Sequence, residues 1–243
     1  CLMSHFGLIG KSIKHSFSKQ YFTDFFEKGN LPHSYSNFEM ENIDGLRKLI
    51  QREQVSGLNV TIPFKENVLC LLDEIDPISK EIGAANVIKV EGDKLVGFNT
   101  DVIGFWNSLS SAISDKKVKA LVLGTGGASK AIKFALKMND IDFLQVSRTH
   151  FESTINYEAL TQELIAEYQL IINSTPLGTY PDIESKPDIP YAGIESGHIL
   201  FDLVYNPAET AFLKEGKAKG AITRNGMEML RIQAEESWMV WNK

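Results

Sequence analysis

The chain has 243 residues, of which 43% are apolar and 23% are charged, and its formal net charge is −6 at pH 7. This composition is typical of a globular protein that is long enough for two small domains. A mildly acidic chain without a basic block binds nucleic acid and anionic membranes poorly, and no apolar run is long enough to cross a bilayer. We therefore expect neither nucleic acid nor a membrane among its partners.

Cysteine is scarce, because only Cys1 and Cys70 are present. Two cysteines form neither a disulfide framework nor a four-cysteine metal site, and no histidine has ligand spacing to them, so we expect a reducing, cytoplasmic location and no metal. An acylated lipoprotein cysteine is the alternative for Cys1. A strand predicted from residue 5 leaves no spacer, so we favour Cys1 and Leu2 as extra residues ahead of Met3.

Short apolar strands alternate with helical segments, a pattern typical of parallel sheets covered by helices. In the first half, strands are predicted at HFGLIG (5–10), SYSNFEM (34–40) and SGLNVTI (56–62). NVIKV and KLVGF, separated by Glu91-Gly92-Asp93, predict a hairpin. Helices are predicted over 16–28, near 42–53, from Pro63, which suits a first helical turn, and over 101–113.

The second half repeats this alternation. Strands are predicted at VKALVLG (118–124), IDFLQV (141–146), QLIINS (169–174) and HILFDLV (198–204). Helices are predicted after Gly124 to about Met138, near 156–167 and near 207–218, with a Pro-rich loop over 176–190.

The C-terminal stretch GMEMLRIQAEESWMVW is amphipathic. At about 100° per residue one apolar stripe forms, with Gln233 at its edge. A helix with such a stripe must dock, and it could return to the first half of the chain. The stripe consists of Met227, Leu230, Ala234, Trp238 and Trp241.

The segment VLGTGGASKA (122–131) combines a strand end, a glycine-rich turn and a helix start. Glycines let the backbone approach a pyrophosphate, and the helix N-terminus offers free N–H groups. A plain tight turn is the alternative, but the strand–turn–helix–strand context favours dinucleotide binding. The turn residues are Gly124, Thr125, Gly126, Gly127, Ala128 and Ser129, the last in place of the usual third Gly or Ala.

The next strand ends in QVSRT (145–149). An acidic residue there binds the ribose 2′-hydroxyl of NAD, whereas Ser147, Arg148 and Thr149 stand here. Because arginine presents a fork of donors to a phosphate, this segment favours NADP over NAD. A solvated surface arginine is the alternative.

Four polar clusters occur in the first half: Ser16 with Ser18; Asn59, Thr61 and Lys65; Asn86 after Gly83-Ala84-Ala85; and Asn99, Thr100 and Asp101. Taken singly, the serines and Asp101 are more often helix N-caps. We place all four clusters just beyond C-terminal strand ends, where open α/β sheets bind ligands.

These clusters resemble the motifs of the shikimate dehydrogenase family. SFS, NVTIPFK, GAAN, GFNTD, GTGGAS, NSTPLG (173–178) and YNP (205–207) occur in the expected order and cover nearly the whole chain. The resemblance implies an α/β fold of two domains, with a substrate domain over 1–102 plus 227–243 and a Rossmann-like NADP domain over 103–226. It also implies that the C-terminal helix returns to the first domain.

The resemblance further implies NADPH-dependent reduction of 3-dehydroshikimate to shikimate, in aromatic amino acid biosynthesis, by a monomer or homodimer. Lys65 and Asp101 are the implied catalytic pair, with charged Lys65 acting as proton donor and electrostatic clamp. Ser16 and Ser18 would hold the substrate carboxylate. The ring pocket would be lined by Asn59, Thr61, Asn86, Tyr205 and Gln233. The cofactor set comprises residues 124–129 and 147–149, with Thr175 and Met229.

Two departures from the family pattern affect the cofactor side. Glu228 stands in place of a glycine near the nicotinamide end, where it affects the local backbone geometry. Glu152 stands in place of a second basic residue, which implies weaker binding of the 2′-phosphate and some use of NAD. Alternatives are a quinate/shikimate dehydrogenase of wider specificity, a non-catalytic dinucleotide sensor and a folate-linked dehydrogenase. Retention of both Lys65 and Asp101 disfavours the sensor, and the serine pair with GFNTD disfavours the folate enzyme.

Overall fold

The structure is a computed structural model that describes residues 3–14, 16–113, 117–149 and 153–243. The chain divides into two compact units. One comprises Cys1–Asp101 with Leu230–Lys243, and the other comprises Val102–Met229. Within the described ranges, no helix has the length and apolar character that a membrane crossing requires.

The first unit contains a six-stranded mixed sheet in the order β2-β1-β3-β5-β6-β4. Strands β1, β2 and β3 are parallel, whereas β5 runs antiparallel to both β3 and β6. The predicted hairpin is confirmed, since β5 and β6 join through Gly92 and Asp93. The strands are β1 (His5–Gly10), β2 (Ser34–Glu39), β3 (Val55–Val60), β4 (Glu74–Ile75), β5 (Val87–Glu91) and β6 (Lys94–Phe98).

Helices in this unit begin where side-chain caps or turns allow. The bounds are α1 (Phe17–Lys28), α2 (Leu46–Glu53) and α3 (Pro77–Ile82). Asp76 caps α3, and Gly83 ends it in the left-handed conformation (φ 70°), which glycine adopts without steric cost. The predicted start of α2 near residue 42 is early by four residues, because turns occupy the chain up to Gly45.

The helix predicted from Pro63 is wrong. The Ile62–Pro63 peptide is cis, and the Phe64 N–H donates to the Thr61 carbonyl at 2.9 Å. Pro63 is therefore the third residue of a tight turn and does not begin a helix. A short 3-10 helix follows over Asn67–Leu71.

Two helices each contain a boundary between the compact units. They are α4 (Asp101–Ser110) and α8 (Met227–Trp241). The return of the C-terminal helix to the first unit is confirmed, and Trp241 Nε1 donates to the Ile88 carbonyl of β5 at 3.0 Å. A Cβ on Gly57 of β3 would lie 2.5 Å from the Trp241 ring, so a glycine is needed for this close approach.

The predicted stripe of α8 is confirmed at Ala234, Trp238 and Trp241 and is wrong at Met227. Met227 is 42% exposed, whereas Gln233 and Ser237 are buried at 6% and 0%. The reason is chemical: these polar side chains face polar partners at one end of the first sheet, so the packed face is only partly apolar. Hydrophobicity alone therefore predicted most of the apolar contacts of this helix but not its buried polar residues.

The second unit contains an all-parallel sheet in the order β12-β11-β10-β7-β8-β9. Counted from β7, this is the strand order of doubly wound dinucleotide-binding domains. The predicted α/β fold with a Rossmann-like second domain is confirmed. The strands are β7 (Ala120–Leu123), β8 (Phe143–Ser147), β9 (Thr154–Asn156), β10 (Leu170–Asn173), β11 (Ile199–Asp202) and β12 (Ile222–Arg224).

Helices α5 (Gly127–Met138), α6 (Gln162–Glu167) and α7 (Ala211–Ala218) complete this unit, with apolar clusters on both sheet faces. The helix predicted near 156–167 is only partly correct, since β9 and a 3-10 helix precede α6. The helix predicted from 207 begins at Ala211. In both cases a threonine, Thr161 or Thr210, accepts an N–H of the first turn and sets the start.

Candidate active site

The topology of the first sheet gathers polar residues at one edge. Asn59 pairs in register with Val87, and Val87 pairs with Phe98. Because β5 is antiparallel to its neighbours, its start lies beside the ends of β3 and β6. The expectation that Asn86 lies beyond a C-terminal strand end is therefore wrong, since Asn86 directly precedes β5, yet it occupies the same edge.

Lys65 and Asp101 form an ion pair at this edge. The Lys65 Nζ lies 2.6 Å from the Asp101 Oδ2, and the two side chains are 14% and 6% exposed. The turn Thr61–Phe64 buries Phe64 and turns the chain at Lys65, whose carbonyl accepts the Ala85 N–H at 2.8 Å. One ammonium and one carboxylate, 36 positions apart in the chain, thus meet in a largely water-excluded place.

Two asparagines orient Asp101. The Asn86 Nδ2 donates to Asp101 Oδ1 at 2.9 Å, and the Asp101 N–H donates to Asn99 Oδ1 at 3.1 Å. Asn99 in turn donates to the Ala84 carbonyl at 3.0 Å. Asp101 is the first residue of α4, where the helix dipole favours a negative charge. The Asp101 Oδ2 is the atom that contacts Lys65. The sequence alone favoured Asp101 as the cap of this helix, but it is the Asn99 side chain that accepts a backbone N–H at the helix start.

Gln233 of α8 joins the same network. The Asn86 Nδ2 lies 3.4 Å from Gln233 Oε1, and the Thr100 Oγ1 donates to the Gln233 carbonyl at 3.0 Å. The Thr100 N–H donates to Asn86 Oδ1 at 2.7 Å. The GAAN, GFNTD and C-terminal segments therefore converge.

The serine pair lies at the start of α1. The Ser16 Oγ accepts the Lys19 N–H at 3.3 Å, as an N-cap, and donates to Asn37 Oδ1 at 2.9 Å. The Ser18 side chain is hydrogen-bonded to the Tyr35 hydroxyl. Thr61 lies just past β3, close to Gly10, where a Cβ would come within 2.5 Å of its methyl group.

Sequence reasoning missed Tyr35 and Ser237 in this unit. The Tyr35 hydroxyl donates to Asn59 Oδ1 at 2.7 Å, and the Asn59 Nδ2 donates to Ser237 Oγ at 2.9 Å. One signal was available for Ser237, because it lies four residues after Gln233 and so on the same helix face. For Tyr35, the alternation of β2 indicated burial of the side chain but not its hydrogen-bond partner.

In the second unit, the glycine-rich turn lies between the end of β7 and the start of α5. Gly124 has φ 107°, and a Cβ there would lie 2.9 Å from Ser174 Oγ, so only glycine fits. Gly126 precedes α5, and a Cβ there would meet no atom within 4 Å. Open space in front of a helix N-terminus fits a dinucleotide phosphate.

Ser129 packs α5 closely against the sheet, as expected of a small third residue. It is fully buried, and its Oγ donates to the Gly126 carbonyl at 2.7 Å. The Gln145 Nε2 donates to the Gly124 carbonyl at 2.8 Å, and Lys133 donates to Gln145 Oε1 at 2.8 Å. Burial lowers the pKa of Lys133. The turn is thus held from beneath by polar contacts.

At the end of β8, the residues that the structure describes include one cation, Arg148, and no acidic residue. Ser147 is buried and its Oγ accepts the Thr149 N–H at 3.1 Å, whereas Arg148 is exposed. Burial raises the pKa of Tyr157, and the nearby Arg148 guanidinium opposes that shift. Glu152, like Cys1, Leu2, His15 and His150, lies outside the described residues.

The remaining cofactor candidates are Thr175, which follows β10, and Met229, which lies in the first turn of α8. The Thr175 N–H and Oγ1 both donate to Asn173 Oδ1, at 3.0 and 2.6 Å. Met229 is 6% exposed and packs in the core beside Phe105. Glu228 lies in the first turn of α8 with a helical backbone, so the missing glycine causes no backbone strain. Tyr205 belongs to the second unit and follows β11.

A buried carboxylate, Asp202, was also missed. It is fully buried at the end of β11 and accepts hydrogen bonds from Asn173 Nδ2 (2.9 Å), the Val204 N–H (3.0 Å) and Thr210 Oγ1 (2.5 Å). Burial raises the pKa of Asp202 to about 6 and outweighs these three donors. The signal in the sequence was an aspartate closing an otherwise apolar strand. In the described ranges, no group of three His, Cys, Asp or Glu side chains could hold a metal.

Comparison with known proteins matches this chain to shikimate dehydrogenases. A family model described as the shikimate dehydrogenase substrate binding domain matches residues 8–88. The shikimate dehydrogenase (NADP(+)) of Clostridium botulinum strain Hall is 37% identical over 246 residues, covering 97% of this chain and 95% of that protein. The relative from Methanococcus maripaludis strain C6 is 36% identical, covering 97% and 90%.

Solved structures agree with this result. Shikimate dehydrogenase from Aquifex aeolicus has a TM-score of 0.89 and 35% identity, covering 99% of this chain and 92% of that one. The Thermus thermophilus shikimate 5-dehydrogenase, solved in complex with NADP(H) and shikimate, has a TM-score of 0.88 and 32% identity, covering 98% and 93%. With such identity over almost its whole length, this chain belongs to the shikimate dehydrogenase family.

Proposed function

We propose that the protein catalyses the reversible NADPH-dependent reduction of 3-dehydroshikimate to shikimate. The observation that carries this proposal is the Lys65–Asp101 ion pair, 2.6 Å apart and largely shielded from water. Reduction of a ketone needs a hydride at carbon and a proton at oxygen, and this pair supplies a proton donor beside a carboxylate that orients it. The relative from Thermus thermophilus was solved with NADP(H) and shikimate, which supports both ligands.

Lys65 is the proton donor in the reductive direction. Negative charge grows on the ketone oxygen as the hydride arrives, and a charged ammonium both stabilises that charge and delivers the proton. Asp101 keeps the ammonium in place through Oδ2, while Asn86 and Asn99 keep Asp101 in place. Bound NADPH supplies the hydride. In the reverse direction, Lys65 accepts the hydroxyl proton.

The other residues bind and orient the substrate in this proposal. Ser16 and Ser18 donate their hydroxyl hydrogens to the carboxylate, and the ring hydroxyls contact the first-unit residues at the polar sheet edge. These are Asn59, Thr61, Asn86 and Gln233. For Tyr205, which belongs to the second unit, substrate binding stays a prediction of the family resemblance. Both serine hydrogens point to protein acceptors in this structure, so each must rotate to reach a carboxylate.

NADP is the proposed cofactor. The open space at Gly126 and the N-terminus of α5 fit its pyrophosphate, with residues 124–129 forming the turn. Arg148, flanked by Ser147 and Thr149, contacts the 2′-phosphate, because a guanidinium fork matches phosphate geometry. Thr175 and Met229 complete the proposed set. Since Met229 is buried in the core, its backbone is the part available to a ligand.

The proposal extends to the domain bounds, the location and the oligomeric state of the protein. The substrate domain comprises 1–102 and 227–243, and the NADP domain comprises 103–226; the compact units divide the chain a few residues from these positions. The protein works in the cytoplasm, in aromatic amino acid biosynthesis, which the scarcity of cysteine supports. It is a monomer or a homodimer.

The decisive experiment follows absorbance at the reduced-nicotinamide band while the protein oxidises shikimate or quinate with NADP or NAD. We expect rapid reduction of NADP with shikimate and slower reaction in the other three combinations. Comparable rates with quinate would favour a quinate/shikimate dehydrogenase of wider specificity. Binding of the dinucleotide without turnover of either acid would contradict the proposed activity.

A further inference from the structure

The Asn59 amide is the centre of a buried hydrogen-bond chain in the first unit. It connects Tyr35 of β2 with Ser237 of α8, and all three residues are at most 5% exposed. The Tyr35 hydroxyl donates to Asn59 Oδ1 at 2.7 Å, and the Asn59 Nδ2 donates to Ser237 Oγ at 2.9 Å. Neither Tyr35 nor Ser237 has a role in the mechanism above.

The direction of these hydrogen bonds determines which way the amide points. The Ser237 Oγ donates its single hydrogen to the Gln233 carbonyl at 2.7 Å, so towards Asn59 it can only accept. A flipped amide would place its oxygen against this acceptor. Ser237 therefore selects one amide orientation, and Tyr35 donates to the oxygen in that same orientation.

Tyr35 also links Asn59 to the serine pair. Its only hydroxyl hydrogen is used on Asn59, so the Ser18 hydroxyl is the donor in the bond between Ser18 and Tyr35. Burial raises the pKa of the Tyr35 hydroxyl well above its usual value, which keeps it protonated and able to donate. When the Ser18 hydrogen turns to a carboxylate, the bond from Tyr35 to Asn59 stays intact.

After these two bonds, the Asn59 amide can still form further hydrogen bonds. A primary amide has two N–H donors and two oxygen lone pairs, of which one each is used by Ser237 and Tyr35. One donor and one acceptor therefore remain for a ligand. A hydroxyl group both donates and accepts, so this remaining pair matches a ring hydroxyl.

We propose that Tyr35 and Ser237 are positioning residues that hold the Asn59 amide in the one orientation in which it recognises a hydroxyl of the substrate ring. Tyr35 in addition joins this hydroxyl contact to the carboxylate contact of Ser18. The proposal rests on the proposed function, because it takes shikimate as the ligand of this edge.

The first test is a double-mutant cycle between Tyr35 and Asn59. Tyr35→Phe removes only the hydroxyl and should weaken calorimetric shikimate binding, and raise the KM, by about fivefold, with kcat and NADPH affinity changed far less. In the Asn59→Ala background, Tyr35→Phe should have almost no further effect. Tyr191→Phe removes a hydrogen-bonded phenol oxygen of the second unit and is the matched control.

The second test needs no ligand. Ser237→Ala and Tyr35→Phe should each speed hydrogen exchange of the Asn59 side-chain amide, followed by NMR on the protein alone. A Tyr35→Phe effect of equal size in both backgrounds, or unchanged amide exchange in both variants, would overturn the proposal. Failure of the parent protein to oxidise shikimate would instead count against the proposed function, and the exchange experiment would still decide the role of Tyr35 and Ser237.

Discussion

At the scale of single residues, Lys65 carries the chemistry of the proposed reaction. Its ammonium contacts the Asp101 Oδ2 at 2.6 Å. We expect Lys65→Ala to lower kcat with shikimate by about a hundred- to ten-thousandfold, the usual contribution of a positioned acid or base. NADPH affinity should stay nearly unchanged, because the glycine-rich turn and Arg148 lie in the other unit.

Steady-state kinetics and fluorescence titration with NADPH check this prediction. Lys94→Ala is the matched control, since Lys94 forms an exposed ion pair with Glu74 in the same unit. Activity of Lys65→Ala within tenfold of the parent would remove the role assigned to this lysine.

Arg148 is the residue that should discriminate between the two nicotinamide cofactors. We expect Arg148→Ala to weaken NADPH binding by about ten- to a hundredfold, the usual range for a lost charge-assisted hydrogen bond, while NADH binding changes little. Titrations with both dinucleotides measure this difference, with Arg52→Ala, an exposed arginine of the first unit, as control. Equal weakening of both cofactors would show that Arg148 does not recognise the 2′-phosphate.

At the scale of elements, a substitution in the turn between β7 and α5 should affect cofactor binding without affecting stability. A Cβ at Gly126 meets no protein atom within 4 Å, and its φ of −70° suits alanine. Gly126→Ala should therefore change the free energy of unfolding by less than about 1 kcal/mol. It should weaken NADPH binding roughly tenfold or more, because the methyl group fills the space through which a pyrophosphate approaches.

Urea unfolding and NADPH titration of the same preparation test both halves of this statement. Gly197→Ala is the control, because a Cβ there also meets open space, far along the chain from the turn. Unaltered NADPH affinity in Gly126→Ala would place the pyrophosphate elsewhere.

The elements also show where local sequence signals suffice. Alternation and the Gly-Asp loop predicted the β5–β6 hairpin, and the glycine-rich turn predicted the start of α5. The same signals failed at Pro63, which lies in a tight turn, and around 156–159, where the end of β9 and a 3-10 helix precede α6. Proline suits both a helix start and a turn, so the outcome depends on what the following residues pack against.

At the scale of the whole molecule, Asp202 should leave a measurable trace in the pH dependence of stability. Its pKa is raised to about 6 in the fold, against about 4 in an unfolded chain. Between these values the folded state retains a proton that the unfolded state has lost. The contribution of Asp202 to the free energy of unfolding should therefore fall as pH rises from about 4 to 6, by up to about 3 kcal/mol.

Asp202→Asn lacks this titration, so the difference in unfolding free energy between parent and variant should change over that pH range and be constant above it. Urea unfolding at pH 4.5, 6 and 7.5 measures the difference. The exposed Asp142→Asn serves as control. A difference that is constant from pH 4.5 to 7.5 would contradict the raised pKa.

The sequence by itself determined the α/β alternation, the glycine-rich turn and the residue types of the predicted site, because periodicity and backbone requirements are local properties. Only the tertiary structure decided that Asn86 lies at the start of an antiparallel strand and still reaches Asp101. It alone placed Ser237 against Asn59, 178 positions apart in the chain. Such contacts depend on strand order and helix docking, which arise from packing across long sequence separations and which no local pattern encodes.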